Sequence, residues 1–373
     1  MQALLRVFRG LAGDRFFLIL LAALLVLAGA SPTPIAAYPS LVDGGTLAAL
    51  TGLLLLTKGL ELSGVLQRLG LRLVRAMPSE RAIALSLVLA AAVLSMVLTN
   101  DVALFVVVPL TLGVCRLTSL PSTRLIVFEA LAVNAGSALT PIGNPQNLFL
   151  WQLAKVSFGE FMGHQAPLVA ALLVGLAALT WVAFGRREVH LTPAPETPLD
   201  GRLLGLSACL YAPFLVAADF GHASWAVAVL LVLFLVGHRR VVLDLDWGLL
   251  LVFALMFIDL RLLAQLPAVK DAMAGLDLQQ PLNLYLVSIG ASQLISNVPA
   301  AIALSEYTAD WRVLAYGVNV GGFGFMVGSL ANLIALRMSG DARAWRLFHA
   351  YAVPALLLSA VLGAAGLHFM GCL

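Results

Sequence analysis

Long apolar runs, separated by short charged or turn-forming segments, fill almost the whole of this sequence. A bilayer-spanning helix needs about 20 mainly apolar residues, and the chain is 61% apolar and only 11% charged. Soluble domains are about 45–50% apolar and about 25% charged. The sequence therefore predicts an all-α polytopic membrane protein and excludes an ordinary globular enzyme, a disordered chain and a nucleic-acid binder. The runs predicted to span the membrane lie near residues 16–30, 45–60, 165–184, 203–219, 223–237, 247–260 and 348–369.

Two further stretches, 82–117 and 281–308, each consist of two apolar arms around a short polar tip. Polar groups at membrane depth need protein or water around them. We therefore predict that each stretch is a re-entrant hairpin that returns to the side from which it enters. The tips read Thr99-Asn100-Asp101 and Ser296-Asn297-Val298-Pro299.

The apolar stretches 124–153 and 313–337 are helices that the sequence interrupts. Pro141, Gly143 and Pro145 break the first one, because proline lacks the backbone N–H and clashes with the preceding turn. We predict that each broken helix crosses the membrane once and leaves backbone groups free within it. In the second helix the break is made by glycines with a serine, Gly321, Gly322, Gly324, Gly328 and Ser329.

The interrupted elements occur twice, with the same residue types at the same spacing. The pattern N-x-G-x6-G-x3-N-L begins at Asn134 and again at Asn319, 185 residues later. The hairpin tips align with an offset of 197, which sets Asn100 over Asn297. An odd number of predicted crossings separates equivalent elements, so the sequence predicts two inverted-topology repeats, each with a re-entrant hairpin and a broken transmembrane helix. This architecture is typical of secondary transporters.

The repeats give a predicted domain organisation. The first inverted repeat covers residues 1–184 and the second covers residues 223–373. The hydrophilic, proline-containing segment 185–202 is a predicted cytoplasmic linker, and 203–222 is a predicted extra span that connects the repeats.

Amide side chains and one carboxylate cluster at the first tip and the first break. Polar groups are costly at this depth and need a partner or a wet cavity. A single embedded asparagine is commonly a link between helices, but the duplication of residue types at both kinds of break favours binding. Freed carbonyls suit a cation, and the N–H groups of a restarted helix suit an anion. The polar residues concerned are Asn100, Asp101, Asn134, Asn144, Gln146 and Asn147.

The acidic residues leave alternatives open. Asp101 could carry a proton or balance a cation, and its counterpart in the second repeat is Val298. Glu129 could carry an ion, or it could pair with a basic group near the cytoplasmic face, since Arg124 is close in sequence. Structural roles are predicted for the charges at Lys58, Glu61, Asp259 and Arg261.

Neither an enzyme nor a resident cofactor is predicted. The three cysteines lack metal-ligand spacing. The predicted membrane segments carry neither a Ser-His-Asp pattern nor a spacing of His and Glu ligands. The histidines His164, His222 and His238 lie in predicted loops and do not cluster.

The hydroxyl-Asn tips, each followed by a broken helix, resemble the ion transporter superfamily. This superfamily joins arsenite permeases, NhaD-type sodium/proton antiporters, citrate carriers and sodium symporters of dicarboxylates and sulfate. The resemblance covers essentially the whole chain and is most specific at 134–151 and 292–337. Bacterial anion permeases and the arsenite-permease branch are the most similar, since an Asn-Asp pair also follows their first hairpin arm. The resemblance implies two scaffold bundles, an elevator-like exchange of access and a homodimer.

The resemblance also implies roles for individual residues, because tips and broken helices hold sodium and substrate in this superfamily. Neither tip has the Ser-Asn-Thr triplet expected of sodium-coupled dicarboxylate carriers, which leaves Asp101 as a proton site. A sodium site would use Thr99, Asn100, Ser296 and Asn297. The substrate-binding candidates are Thr99, Asn100, Thr140, Asn144, Asn147, Ser296, Asn297, Ser329 and Asn332. The coupling-ion candidates are Asp101, Asn134, Gly136, Ser137, Asn319, Gly321 and Gly324.

The sequence thus favours a secondary active transporter of a small anion or oxyanion, coupled to a proton or a sodium ion. The alternative is a sodium/proton antiporter that uses Asp101 as the exchanged carboxylate. A passive channel would not need two inverted broken elements. The expected partners are a small inorganic or carboxylate anion and the lipid bilayer, without nucleic acid.

The positive charges predict the orientation in a bacterial inner membrane. With nine crossings and a cytoplasmic N-terminus, 18 of the 22 lysines and arginines fall in the cytoplasm. Cytoplasmic loops carry such an excess. The C-terminus is therefore predicted to be periplasmic, and the four remaining charges are Lys155, Arg261, Lys270 and Arg312.

Reporter fusions test this topology. We expect alkaline phosphatase fused after Leu373 to be active and green fluorescent protein at the same place to be dark, because nine crossings end outside. Fusions after Arg187, in the predicted cytoplasmic linker, should give the opposite result. A fluorescent fusion after Leu373 would show that the number of crossings is even.

Overall fold

The computed structural model describes residues 15–31, 33–75, 77–117, 120–188 and 198–373. Within these ranges the chain forms 19 α-helices. The first half contains α1 (Arg15–Ala30), α2 (Tyr38–Leu41), α3 (Gly44–Leu62), α4 (Val65–Arg75), α5 (Glu80–Val97), α6 (Asn100–Leu117), α7 (Ser122–Ser137), α8 (Pro145–Ala154) and α9 (Phe158–Ala183). The single helix α10 (Gly201–Asp219) follows. The second half contains α11 (Ala223–Gly237), α12 (Arg239–Leu243), α13 (Trp247–Gln265), α14 (Pro267–Ala274), α15 (Pro281–Ile295), α16 (Asn297–Ser305), α17 (Trp311–Val320), α18 (Leu330–Ser339) and α19 (Ala344–Phe369).

The two halves have the same succession of helices. Helices α1 to α9 correspond in order to α11 to α19, and α10 lies between the two sets. The packing repeats as well, because α5 packs on α7 as α15 packs on α17, and α1 packs on α13 as α11 packs on α3. The predicted fold class of two inverted repeats is confirmed. The predicted domain boundaries stay predictions, and residues 1–14 and 189–197 lie outside the described residues.

Both predicted hairpins and both predicted breaks are present. In the first half α5 turns into α6 within two residues, and seven non-helical residues separate α7 from α8. In the second half Ser296 alone separates α15 from α16, and the segment between α17 and α18 is unwound around Gly324, which has a φ of +95°. Each break therefore leaves helix ends within the apolar body of the protein.

Six of the described helices are long and apolar enough to cross a membrane, judged by length and composition. Five of them, α3, α9, α10, α13 and α19, match predicted spans, and the sixth, α5, is the first arm of a predicted hairpin. Shorter apolar helices occupy the positions of the other predicted crossings, among them α1 and α11.

One predicted helix boundary was wrong. Helix α9 begins at Phe158 rather than near 165, so His164 lies in its second turn and not in a loop. The cause is an N-cap, in which the Ser157 hydroxyl accepts the Glu160 backbone N–H at 3.1 Å. The pattern Ser-x-x-Glu satisfies free N–H groups and starts a helix, and it was readable in the sequence.

Each broken helix lies directly against the first arm of the hairpin in its own repeat. A Cβ added to Gly136 on α7 would overlap the backbone carbonyl of Ala92 on α5, and one added to Gly321 would overlap the side chain of Ser292 on α15. The second arms cross over, because α6 packs against α18 and α16 packs against α8. The two repeats are therefore interleaved at their breaks.

Substituting Gly136 tests this close approach. We expect Gly136→Ala to destabilise the protein by about 1–3 kcal/mol, the usual cost of overpacking, because the carbonyl of Ala92 is fixed backbone. Gly113→Ala on α6 is the matched control, since open space surrounds Gly113. The midpoint of thermal unfolding in detergent measures both variants. Equal midpoints for the two variants would contradict the packing.

Candidate functional site

The candidate site is the region where the hairpin tips meet the breaks. Four helices begin there, α6 and α16 at the tips and α8 and α18 after the breaks. Four others end there, α5, α7, α15 and α17. Helix starts carry free N–H groups and partial positive charge, and helix ends carry free carbonyls and partial negative charge. The region thus offers backbone groups for ions of both signs.

Asn134 and Asn332 join the two broken helices. Asn134 Nδ2 donates to Asn332 Oδ1 at 2.7 Å and to the Gly322 carbonyl at 3.2 Å. Asn332 Nδ2 donates to the same carbonyl at 2.9 Å. Both side chains are at most 4% exposed. Asn134 lies near the end of α7 and Asn332 near the start of α18, so the pair links the repeats.

The equivalent residues of the other repeat form the equivalent pair. Asn319 Nδ2 donates to Asn147 Oδ1 at 2.7 Å. Asn147 Nδ2 lies 3.1–3.2 Å from three carbonyl oxygens of the first break, those of Ser137, Ala138 and Thr140. The structure thus brings the four motif asparagines together and engages them with one another and with the backbone. Their predicted roles in substrate binding, for Asn147 and Asn332, and in ion coupling, for Asn134 and Asn319, stay predictions.

The first hairpin tip is bonded directly to the first break. The Asn100 N–H donates to the Gly143 carbonyl at 2.8 Å, and the Thr140 hydroxyl donates to the Met96 carbonyl at 2.7 Å. Asn100 Oδ1 accepts the N–H of Asp101 at 2.9 Å. These bonds, together with the burial of Thr99 at 5% exposure, make the tip and the break one rigid unit.

The second tip is held differently, through a residue that the sequence reasoning missed. Gln293 Nε2 donates to the carbonyls of Gly321 and Phe323 at 2.6 and 2.9 Å. Gln293 Oε1 accepts the Phe325 N–H at 2.8 Å. The corresponding residue in the first repeat is Met96, so comparison of the two repeats could have identified this polar replacement close to the tip.

Ser296 and Asn297 form the second tip. Ser296 has φ +75° and ψ 153°, a conformation that is essentially restricted to glycine and costs about 1–3 kcal/mol. Such strain clusters at functional sites. Asn297 Nδ2 and Asn134 Oδ1 lie 3.3 and 3.5 Å from the position that a Cβ on Gly322 would occupy. The tip of one repeat and the broken helix of the other therefore meet at Gly322.

The two helix starts after the breaks are not equivalent. Asn144 caps α8 by accepting the Asn147 N–H at 2.8 Å, and its Nδ2 donates to Ser137 Oγ and Asn319 Oδ1, each at 3.1 Å. Its counterpart Ser329 has a shorter side chain. Ser329 is 1% exposed, and none of the described residues hydrogen-bonds its hydroxyl. The second repeat thus has a free polar group where the first has a bonded amide.

Two other polar atoms of this region are buried without a described hydrogen-bond partner, Asp101 Oδ1 and Gln146 Oε1. Buried polar atoms normally have a partner from protein, water or ligand. Asp101 also lies within electrostatic range of the carboxylate of Asp246, the N-cap of α13. Together with the Ser329 hydroxyl, these are the groups that a ligand at the breaks would satisfy.

The remaining embedded charges divide into paired and unpaired groups. Lys58 pairs with Glu61 at 2.7 Å, and Arg261 pairs with Glu306 at 3.2 Å. Asp259, predicted to be structural, is 3% exposed, and both of its oxygens lack a described partner. Across the described part of the chain, no group of three His, Cys, Asp or Glu side chains is arranged to hold a metal ion.

Comparisons with known proteins agree with this architecture. A family model described as CitMHS, citrate transporter, matches residues 10–311. The chain is 47% identical over 356 residues to the inner membrane protein YbiR of Escherichia coli, covering 95% of this chain and 96% of YbiR. It is 35% identical over 257 residues to the uncharacterized transporter MJ0456 of Methanocaldococcus jannaschii, covering 68% and 70% of the two chains.

A solved structure shares the fold. The crystal structure of the YdaH transporter of Alcanivorax borkumensis aligns with a TM-score of 0.54 over 96% of this chain and 90% of YdaH. The sequences are 16% identical, so this likeness concerns the fold alone.

A double-mutant cycle tests the asparagine pairs. We expect Asn147→Ala and Asn319→Ala each to destabilise the protein by about 1–3 kcal/mol, because each leaves buried polar groups unpaired. The double variant should cost less than the sum, by about 0.6–1.7 kcal/mol. Asn283→Ala, at an exposed site, is the control. Strict additivity in denaturant unfolding would show that the two amides act independently.

Proposed function

Because this chain belongs to the CitMHS citrate transporter family, we propose that it is a secondary active transporter of a small carboxylate or oxyanion. Its relatives are membrane transporters rather than enzymes. Transport takes place across the bacterial inner membrane by alternating access, and it is coupled to a proton or a sodium ion.

The observation that carries the anion proposal is the convergence of four helix N-termini at the breaks and tips. Helices α6, α8, α16 and α18 all begin there, and each start favours negative charge. The tips and breaks contain neither lysine nor arginine. Backbone dipoles and amides therefore supply the attraction, which suits a substrate that must also be released.

The unpartnered groups identify the contacts that we propose for the substrate. Gln146 Oε1 lies in the first turn of α8, and the Ser329 hydroxyl lies just before α18. The hydroxyl can donate to an anion, whereas Gln146 Oε1 can only accept a hydrogen bond, which suits a protonated oxygen of the substrate or a coupling cation. The tip residues Thr99, Asn100, Ser296 and Asn297 complete the proposed site.

The contacts between scaffold and hairpins support alternating access. We assign α3 and α13 to the scaffold. In the second half α13 packs against α16, the second arm of the hairpin. Its counterpart α3 packs against α8 more than against the corresponding arm α6. The two repeats thus make different contacts with the scaffold in this conformation, which we take as one end state of the transport cycle. If each repeat adopts the contacts that the other makes here, the protein reaches the opposite end state. We propose that the hairpins and broken helices move together against the scaffold in this exchange.

The second candidate is a sodium/proton antiporter, and a specific observation favours it. Asp101 Oδ1 is buried without a described hydrogen-bond partner, and the carboxylate lies within electrostatic range of Asp246, the N-cap of α13. A cation or a proton between the two carboxylates would remove their repulsion. In that function Asp101 exchanges the ions and no anion is bound.

A thermal-shift screen distinguishes these functions. Purified protein is scanned against sodium, lithium and pH, crossed with citrate, dicarboxylates, sulfate, phosphate and arsenite, because a ligand of the native state raises apparent stability. We expect citrate or a related anion to raise the unfolding temperature, and Asp101→Asn to retain this shift. If only cations or pH shift stability, and Asp101→Asn abolishes the effect, the antiporter is the better proposal.

Ser329→Ala tests the proposed substrate contact in proteoliposomes. We expect it to raise the concentration of half-maximal binding or uptake of the stabilising anion by about tenfold, the effect of one lost hydrogen bond. Ser305→Ala is the matched control, because that hydroxyl donates to its own helix at the Ile302 carbonyl. An equal change of the half-maximal concentration in both variants would show that Ser329 does not contact the substrate.

A further inference from the structure

A third acidic residue, Glu129, lies in α7 beneath the candidate site. It is fully buried at 0% exposure. It precedes Asn134 by five residues, or about one and a half helical turns. The corresponding residue of the second repeat is Leu314, so the repeat architecture itself does not require a carboxylate here.

The surroundings of Glu129 offer one donor. The Thr111 hydroxyl of α6 donates to Glu129 Oε1, and Oε2 is buried without a described hydrogen-bond partner. The Cys115 thiol, one turn from Thr111, is within electrostatic range. Arg124, which could have paired with Glu129, donates instead to the Ala183 carbonyl at 3.1 Å.

The helices packed on α7 bring no described ion pair to Glu129. These helices are α5, α6, α9, α18 and α19. The described ion pair of α9 joins Glu160 to Arg312. On α5, α6, α18 and α19 the described charged side chains lie near the helix ends. They include Glu80, Arg81, Asp101, Arg337 and Arg346.

This environment does not suit a permanent anion. A buried carboxylate with one neutral donor and no cation among the described side chains pays a large desolvation cost, which the neutral acid avoids. Thr111 belongs to the second arm of the first hairpin, whereas Glu129 belongs to the broken helix. Both helices belong to the part that we propose to move against the scaffold, so the exchange between end states changes the access of water to the carboxyl group while the Thr111 contact is kept.

We infer that Glu129 is the proton-binding site of the transporter, which rests on the proposed transport function. The carboxyl group binds a proton in the conformation described here. It releases this proton to water, leaving the carboxylate, when the exchange between the two end states opens Glu129 to water. Leu314 offers no second site, so each chain carries one such proton.

Infrared difference spectroscopy tests the proton directly. Purified protein in lipid is compared between acidic and alkaline buffer through the C=O stretch of protonated carboxyl groups. We expect Glu129→Gln to remove one band that the wild-type protein shows, because glutamine keeps the shape and the Thr111 contact. Asp259→Asn is the control, since it removes another buried, unpartnered carboxylate. An identical spectrum for wild type and Glu129→Gln would overturn the proposal.

Transport in proteoliposomes tests coupling, with radiolabelled citrate as the probe. We expect Glu129→Gln to retain the exchange of internal for external citrate. The accumulation of citrate that a pH gradient drives should fall at least tenfold in this variant. A residue that only packs would lower both activities together, and unchanged gradient-driven accumulation would overturn the proposal. Citrate exchange in Glu129→Gln also shows that this variant is folded.

The two proposals fail separately. If the wild-type protein moves no citrate and none of the other anions shifts its stability, the proposed anion transport fails. The infrared comparison still decides in that case whether Glu129 holds a proton. If anions are transported and the band is unchanged in Glu129→Gln, only the proton site fails.

Discussion

The structure depends on satisfying the backbone groups that two broken helices expose inside an apolar body. Unpaired N–H and C=O groups cost several kcal/mol each in such surroundings. The motif asparagines meet this cost by pairing across the repeats, Asn134 with Asn332 and Asn319 with Asn147. Three of them, Asn134, Asn147 and Asn332, also donate to carbonyls of a break. These bonds join the two repeats at their breaks.

This pairing separates the groups that hold the site together from those that remain free for a ligand. The four asparagines of the repeated motif, Asn134, Asn147, Asn319 and Asn332, are hydrogen-bonded within the protein. The two repeats differ at positions close to these asparagines. Asn144 of the first repeat is hydrogen-bonded, whereas the hydroxyl of its counterpart Ser329 has no described partner. Gln293 of the second repeat bonds the break through its side chain, whereas its counterpart Met96 does so through its backbone carbonyl. The motif asparagines thus join the two repeats, and Ser329 with the tip residues carries the proposed substrate contacts.

Electrostatics inside the body are set by helix ends and carboxyl groups rather than by basic side chains. The tips and breaks lack lysine and arginine, so helix starts provide the attraction for an anion. Three buried carboxyl groups lack a described ionic partner, and they lie in different places. Asp101 lies on a tip, Glu129 between a hairpin and a broken helix, and Asp259 in the scaffold. In the proposed transport a proton at Glu129 provides the link to an ion gradient, whereas in the alternative antiporter Asp101 exchanges the ions.

The sequence by itself determined the hairpins, the breaks and the inverted repeats, because proline, glycine and hydrophobic length act locally and the duplication is visible at fixed spacing. It could also have located the start of α9 at Ser157. Only the tertiary structure decided that Asn147 is hydrogen-bonded to Asn319 while the Ser329 hydroxyl has no described partner. It also decided that Gln293 bonds the second break and that Glu129 is fully buried beside Thr111. These outcomes depend on how two halves distant in sequence pack together, and side-chain partners across that interface leave no local pattern.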